Sequence, residues 1–169
     1  MSFPDDIDDV DVFTTGAVGQ PGSRTFFLQA RVAADAVTVK CEKQQVEALA
    51  TYLGQLLSDL PTPRDVPGEH VLGLSELEPT FVLGSIGVAW DESADRVVLA
   101  LEELVPTDEE GNPDPDADEA KAVLQVRLTR GQALAFSRYG LDIVAAGRPP
   151  CRYCGLPRNA DGHFCPRMN

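Results

Sequence analysis

The sequence predicts an α+β fold: two β-β-β-α pseudo-repeats, with helices packed on an antiparallel sheet, plus a small C-terminal zinc-ribbon-like tail. A strand-then-helix pattern occurs twice, over Val37–Tyr52 and Leu124–Tyr139, at a constant offset of 87 residues. Each copy follows two further runs with strand-like alternation. Three of the four cysteines and one of the two histidines lie in the last nineteen residues. The repeat predicts the body of the protein, and the cysteine cluster predicts the tail.

The first half is predicted to contain three strands and one helix. Strand-like runs cover about Asp11–Val18 and Thr25–Ala33, with a Pro-Gly turn between them. A third strand, Val37–Cys41, leads into a helix that ends before Pro61. One face of this helix is apolar, which predicts that it packs on the sheet. That stripe consists of Val46, Leu49, Ala50, Leu53, Leu56 and Leu57.

The second half repeats this order. Strand-like runs cover Thr80–Trp90 and Arg96–Leu104, and a short polar loop joins them as a hairpin. After the third strand, Thr129 and Gln132 form a predicted capping box that starts the helix, and Gly147 is suited to its end. The apolar stripe of this helix consists of Ala133, Phe136, Gly140, Ile143 and Val144.

We therefore predict a duplicated domain over residues 1–147, with halves at about 9–60 and 80–147, and a zinc-binding tail over residues 148–169. The matched blocks share a glutamine, a tyrosine and two basic positions, which favours duplication over chance similarity of two amphipathic units. A connector rich in proline and glycine, Ser58–Pro79, separates the halves.

The composition is that of a globular, acidic protein. Hydrophobic residues make up 43% of the chain, and the formal net charge is -13. This charge repels nucleic acid and anionic membranes at long range, so nucleic acid is not an expected partner of the body. The N-terminus lacks the basic and apolar regions of a signal peptide, and no apolar run approaches ~18 residues. These features predict a cytoplasmic protein that does not enter a membrane.

The tail carries the sharpest chemical signal. Cys151 and Cys154 form a C-x2-C pair, and eight residues later His163 and Cys165 form an H-x-C pair. Thiolate and imidazole are the ligands that zinc prefers in a closed tetrahedral site, so these four residues predict structural zinc. Two alternatives stay open: a redox C-x-x-C pair, and a three-cysteine site with His163 outside the ligand set. Cys41 aligns with Leu128 of the repeat, which predicts an ordinary buried residue.

Basic residues suggest a second kind of site. The glycine-rich segment Gly16–Arg24 can cradle a phosphate through its amides, although a plain hairpin turn explains it as well. Two pairs of basic residues occupy matching places in the halves. If the halves pack with pseudo-twofold symmetry, these pairs converge with Arg24 on one anionic ligand. The simpler interpretation is that these basic residues lie on solvent-exposed faces of the protein. The pairs are Lys40 with Arg127 and Lys43 with Arg130.

Acidic segments carry weaker signals. Asp114, Asp116 and Asp118 resemble the start of a calcium loop, but the glycine and the final glutamate of that loop are missing, so we expect no calcium site. We interpret the acidic segment 106–119 as an irregular, mobile loop, and Asp5–Asp11 likewise. His70 is interpreted as a surface residue of the connector.

The tail is basic although the body is acidic, with four arginines against one aspartate. Tyr153 and Phe164 lie among these arginines, and zinc modules of this composition can bind nucleic acid or protein. Docking of the basic tail on its own acidic body explains the same charges.

Two motifs carry a family resemblance. The run Gly19–Ala30 has the pattern G-x-P-G-x-R-x-F-x-L-Q-A, and the tail combines C-x-x-C-G-x-P with G-H-x-C-P-R-x-N. Together they resemble an uncharacterised actinobacterial family, domain of unknown function 3090. The resemblance covers the whole chain and implies a zinc-ribbon-like element but no established activity. It also implies a protein partner of a kinase-like or phosphatase-like kind, since such proteins are often encoded near family members.

The sequence therefore predicts a non-enzymatic binding or adaptor protein with a structural zinc ion. No nucleophile–base pair, metalloprotease, Walker or dinucleotide motif is found, although this leaves an enzyme open. The alternative is a phosphate-ester-binding protein or enzyme with a basic site between the halves. A weaker alternative is nucleic-acid binding through the basic tail.

Overall fold

The computed structural model describes residues 6–158 and 162–168, and the predicted strands and helices occur in the predicted order. Short additional elements are a two-residue strand at Asp6–Ile7, a helix at Pro115–Ala120 and a 3-10 turn at Glu69–Val71. None of the helices in the described ranges is long and apolar enough to cross a membrane. The α+β class is confirmed, with these elements in chain order: β1 (Asp6–Ile7), β2 (Val12–Val18), β3 (Thr25–Val32), β4 (Asp35–Cys41), α1 (Lys43–Ser58), β5 (Pro79–Asp91), β6 (Arg96–Glu103), α2 (Pro115–Ala120), β7 (Val123–Leu128) and α3 (Arg130–Ala145).

The strands form one sheet in the order β1-β7-β6-β5-β4-β3-β2. Within each half, consecutive strands are antiparallel as predicted, but the two halves join through a parallel pair, β4 and β5. Helix α1 causes this, because a helical crossover returns the chain to the same end of the sheet before the next strand begins. The sheet is therefore mixed and not purely antiparallel.

The sheet curls until its two ends approach each other. β1 and β2 lie at opposite ends of the strand order, although only the segment Asp8–Asp11 separates them. From Ile7 to Val12 the chain spans at most about 17 Å, whereas seven strands laid flat would span about 29 Å. At the start of α3, Gln132 donates from Nε2 to the carbonyl oxygen of Val10 at 2.7 Å, which holds this short segment in place.

Helices α1 and α3 pack against each other, and α3 also packs on β2. Phe13 of β2 and Phe136 of α3 are fully buried, with ring centroids 4.9 Å apart. Most of the predicted apolar stripe of each helix is buried, and Leu56 and Ile143 are partly buried against the same core. Burial of these stripes holds the two halves together around one core.

The two long helices begin with the same capping arrangement. The predicted capping box of α3 is confirmed: the Gln132 amide donates to Thr129 Oγ1 at 3.1 Å, and the Thr129 amide donates to Gln132 Oε1 at 2.9 Å. At the matching place in α1, the Glu42 amide donates to Gln45 Oε1 at 2.9 Å. Both helices have 16 residues.

Two acidic segments differ from their predictions. The interpretation of Asp5–Asp11 as a loop is wrong for Asp6 and Ile7, which form β1 beside β7. Val10 is also buried in the core, and Asp5 lies outside the described residues. Part of the segment 106–119 is helical rather than irregular. The Asp114 carboxylate accepts from the Asp116 amide at 3.1 Å and starts α2, with proline in its first turn.

The connector between the halves is packed against the sheet. Gln29 of β3 is fully buried; its Oε1 accepts from the Ser75 amide at 2.9 Å and its Nε2 donates to the Glu76 carbonyl at 2.8 Å. Leu72 is also buried. Because both polar ends of the Gln29 amide are satisfied by the connector, its burial carries no unpaired group.

Candidate metal centre

The first cysteine pair lies in a tight turn after α3. The Cys151 amide donates to the Leu156 carbonyl at 2.7 Å, and the Gly155 amide donates to the Cys151 carbonyl at 2.9 Å. Pro150 and Pro157 form an antiparallel bridge beside this turn. Gly155 has φ +75°, a conformation that glycine adopts without strain, so the residue after Cys154 lets the chain reverse.

The second pair lies in a second turn. Gly162 has φ +97° immediately before His163, and the Met168 amide donates to the Cys165 carbonyl at 3.1 Å. We call residues 148–158 and 162–168 the C-terminal ribbon. Its two turns bring together residues that are separated in the sequence.

The four predicted ligands form one cluster. Their side-chain ligand atoms all lie within 4.8 Å of one another. Cys151 Sγ and Cys165 Sγ are 3.9 Å apart, and Cys154 Sγ lies 3.3 Å from His163 Nε2. A zinc ion with tetrahedral bonds of about 2.3 Å to sulfur and 2.0 Å to nitrogen would place two sulfurs about 3.8 Å apart and a sulfur and a nitrogen about 3.5 Å apart. The cluster therefore has the size of a four-coordinate metal site.

The backbone of the turn favours a thiolate at Cys151. Amide donors at Cys154 and Tyr153 lower the pKa of the Cys151 thiol to about 7, and the Tyr153 amide lies 3.5 Å from its sulfur. At Cys154 a bond from the Leu156 amide lowers the pKa, but burial and the neighbouring thiols outweigh it and the net shift is upward. The turn therefore favours the thiolate at Cys151, the form in which a cysteine binds a metal ion.

The geometry bears on the alternatives for this cluster. Cys151 and Cys154 lie in a turn, whereas a redox pair gains its low pKa at the N-terminus of a helix. His163 Nε2 directly faces a sulfur, so it lies among the ligand atoms. The described cysteines are all free thiols. These residues could bind a metal ion as a Cys3His set.

Cys41 is not part of the ligand cluster. It lies buried at the end of β4, as predicted, and burial raises the pKa of its thiol to about 12. A thiol with so high a pKa stays protonated at neutral pH and is a poor nucleophile and a poor metal ligand.

Arg127 and Arg130 form ion pairs with carboxylates of the β5–β6 hairpin. Arg127 Nη2 lies 2.7 Å from Asp91 Oδ2, and Arg130 Nε lies 2.7 Å from Asp95 Oδ1. The arginine bond is the main reason that the pKa of Asp91 falls to about 2, and that of Asp95 falls as well. Both arginines thus connect the hairpin to the following strand and helix.

The structure separates the matching basic positions. Lys40 of β4 pairs with Val82 of β5. Arg127 of β7 pairs with Val98 of β6, and Val98 in turn pairs with Ala89 of β5. Seven residues along a strand correspond to about 23 Å. The strands of the two halves lie side by side along one sheet, so the equivalent strand positions Lys40 and Arg127 do not meet.

Arg24 and Lys43 do meet, at the end of α3. A Cβ atom built on Gly147 would lie 2.9 Å from Arg24 Nη2 and 3.5 Å from Lys43 Nζ. Arg148 lies on the other side, with its Nε 3.3 Å from a Cβ built on Gly22. From the sequence, Arg148 was expected only in the basic tail. Its approach to the Pro-Gly turn depends on long-range packing, which no local pattern predicts.

The remaining candidates occupy the surface. His70 is exposed in the 3-10 turn, as predicted. In the acidic segment, Asp108 accepts bonds from the Glu110 and Asn112 amides, and Asp118 lies 3.1 Å from Lys121 Nζ. Their carboxylates therefore have protein partners.

Comparison with known families gives one result. The model of a family described as "Protein of unknown function (DUF3090)" matches residues 6–165, almost the whole chain. This confirms the resemblance drawn from the Gly19–Ala30 run and the tail motifs, while an actinobacterial origin stays a prediction. Searches of curated proteins and of solved structures each found no match.

Proposed function

Because the chain belongs to the DUF3090 family, whose function is not known, we propose its function from its own geometry. It is a non-enzymatic binding or adaptor protein whose C-terminal ribbon is held by a structural zinc ion. The observation that carries the proposal is the cluster of Cys151, Cys154, His163 and Cys165, with ligand atoms within 4.8 Å of one another.

Donor chemistry and site closure support zinc in a structural role. Three sulfurs and one imidazole nitrogen are a borderline-soft set that zinc prefers over magnesium or calcium. Four protein ligands leave no coordination position for a reacting water, unlike catalytic zinc sites with three protein ligands. Free thiols also fit a reducing compartment, so we keep the cytoplasm as the proposed location.

The zinc proposal is tested by elemental analysis and X-ray absorption of protein purified without chelator. We expect one zinc per chain with three sulfur neighbours and one nitrogen neighbour. Cys154→Ala should lose the metal, whereas the matched control Cys41→Ser should keep it, because Cys41 is not one of the four clustered ligands. Protein without metal, carrying a Cys151–Cys154 disulfide instead, would contradict the proposal.

The surface of the ribbon supports a binding role. Its described residues expose several large apolar side chains, Tyr153, Leu156, Phe164 and Met168, and Phe164 is 76% exposed. Several exposed apolar side chains on one small module are typical of sites that contact another protein. Of the two histidines, His163 faces Cys154 within the proposed metal site, and His70 is solvent-exposed.

The adaptor role is tested with the full zinc-loaded chain as bait. The kinase-like and phosphatase-like proteins that the family resemblance implies are the first partners to test. Phe164→Ser should abolish capture, while Leu104→Ser, which changes a side chain 58% exposed on the body, should leave it intact. Equal capture by both variants would rule out the ribbon as the contact surface.

The other functions rank lower. For a phosphate-ester-binding protein or enzyme, only Arg24 and Lys43 of the five proposed basic residues share a place. For nucleic-acid binding, the ribbon has Arg152 with its guanidinium carbon 5.5 Å from the centroid of the Tyr153 ring. The negative charge of the body repels nucleic acid and so opposes this function. Saturable, salt-sensitive RNA binding by the full chain would replace the adaptor proposal.

We also infer that the two halves arose by duplication. Helices α1 and α3 have the same length, begin 87 residues apart and share the glutamine that accepts a bond from the residue before the helix. A single-half ancestor would pair with a second copy, so co-expressed separate halves are expected to assemble into one folded complex. Failure of the halves to associate would count against this inference.

A further inference from the structure

A cavity of about 240 Å³ lies where the body meets the C-terminal ribbon. Three cationic side chains line it, together with one carboxylate and two glycines. The cations come from three places in the chain: the residue between the Pro-Gly turn and β3, the start of α1 and the start of the ribbon. The lining includes Arg24, Lys43, Arg148, Glu42, Gly22 and Gly147.

Arg24 is fixed in place by two contacts that leave part of its guanidinium in the cavity. Its Nη1 donates to the carbonyl oxygen of Ile143 at 3.1 Å, near the end of α3. Its guanidinium carbon lies 4.9 Å from the centroid of the Phe26 ring. The other terminal nitrogen, Nη2, points toward Gly147, where the missing side chain leaves room.

Lys43 Nζ reaches the same space. Both nitrogens lie within 3.5 Å of the point where a Cβ on Gly147 would stand, so they are less than about 7 Å apart, a separation at which like charges repel. Within residues 6–158 and 162–168 neither side chain forms an ion pair with a carboxylate. The Ile143 carbonyl near the end of α3 accepts a hydrogen bond from Arg24 but not from Lys43.

The charge balance of the cavity is opposite to that of the protein. Arg24, Lys43 and Arg148 against Glu42 leave an excess of positive charge, in a chain whose formal net charge is -13. Arg148 has an interaction of its own, so we assign it only a contribution to the potential. A bound anion would relieve the repulsion between Arg24 and Lys43 and use donors that already point at one place.

We propose that this cavity binds a small phosphate-type oxyanion, either inorganic phosphate or the phosphoryl group of a small monoester. Arg24 Nη2 and Lys43 Nζ donate to its oxygens, and Gly147 provides the space. The ribbon forms one wall through Arg148 and Pro157. Anion binding is therefore expected to depend on the ribbon being folded.

The proposal is tested by isothermal titration of the full zinc-loaded chain with inorganic phosphate, and separately with methyl phosphate. We expect saturable binding, weakened about tenfold or more in Lys43→Gln because a charge-assisted hydrogen bond is lost. The matched control is Lys40→Gln, which makes the same change at an exposed position of β4, outside the cavity, and should bind within about twofold of wild type.

A second variant tests the geometry without changing charge. Gly147→Ala fills the space between the two nitrogens and should weaken phosphate binding while the melting temperature stays close to that of wild type. Tighter binding of methyl phosphate than of phosphate would identify a monoester as the ligand, and the reverse would identify the free ion; both outcomes support the site. Absence of saturable binding, equal loss in Lys40→Gln and Lys43→Gln, or unchanged binding in Gly147→Ala would overturn it.

Discussion

The Ser137 hydroxyl donates a 2.6 Å hydrogen bond to the carbonyl oxygen of Ala50, and the two residues occupy matching positions 87 residues apart. Small residues surround this bond. A Cβ on Gly54 would lie 2.9 Å from Ser137 Oγ, and a Cβ on Gly140 would lie 3.2 Å from the Ala50 Cβ. The helices α1 and α3 therefore approach each other closely at equivalent places of the two halves, and this contact unites the halves.

The close approach predicts a coupled effect of Gly54 and Ser137 on stability. Gly54→Ala alone should destabilise the protein, because the new methyl group collides with the buried hydroxyl of Ser137. In a Ser137→Ala background the space is free, and the same change should stabilise by up to about 1 kcal/mol through helix propensity. Urea unfolding of the two single variants and the double variant measures the difference.

The control is Gly73→Ala, since a Cβ at Gly73 has no atom within 4 Å. Gly73→Ala should change the free energy of unfolding by the same amount whether residue 137 is serine or alanine. A Gly54→Ala effect that does not depend on residue 137 would show that the helices adjust elsewhere.

The ion pair of Arg127 with Asp91 predicts a pH-dependent contribution to stability. The hydrogen bond from Arg127, with a second from Ser93, lowers the pKa of Asp91 from 3.8 to about 2. Because the folded pKa lies below the unfolded one, the stabilisation is present above about pH 4 and is lost as the pH falls toward 2. The urea midpoint of Asp91→Asn should therefore lie below that of wild type at pH 7, and the difference should shrink at pH 2.5.

Glu92→Gln is the matched control, because Glu92 is the exposed neighbour and forms no ion pair among the described residues. The urea midpoint of this variant should equal that of wild type at both pH 7 and pH 2.5. A difference for Asp91→Asn that is the same at pH 7 and pH 2.5 would show that the loss comes from packing and not from charge.

Local patterns were sufficient to predict the long elements and the metal cluster. The spacing from Thr129 to Gln132 predicted where α3 begins, because a capping box involves only four consecutive residues. Cys151 and Cys154, with His163 and Cys165, are close in sequence, so two turns suffice to bring them together. In such cases the chemistry that decides the structure lies within one short segment.

Contacts between distant segments could not be predicted in this way. β1 consists of two residues in an acidic run and is a strand only because β7 lies beside it. The approach of Lys43 to Gly147 depends on how α1 and α3 pack, which the repeat does not specify. Helix α2 is different: Asp114 followed by proline is a helix-start signal that the acidic composition of the segment obscured.

The acidic segment predicts indifference to calcium. Asp108 accepts bonds from its own turn, Asp114 starts α2, and Asp118 lies beside Lys121. Since these carboxylates already have protein partners, calcium at millimolar concentration should leave the melting temperature unchanged. Magnesium at the same concentration controls for ionic strength. An upward shift with calcium alone would reveal a bound ion, which stabilises the folded state by mass action.

We predict that the body folds without the ribbon when the chain is truncated after Gly147. The hydrophobic core cluster ends at Val144 and includes no residue of the ribbon, so the truncation removes no core side chain. The contact of Arg24 with the Ile143 carbonyl is also retained. We expect cooperative urea unfolding with a similar dependence on denaturant, because nearly the same apolar surface is exposed on unfolding. The full chain treated with a zinc chelator is the control, and its body should unfold at a similar midpoint. A non-cooperative transition in the truncated protein would mean that the ribbon takes part in folding the body.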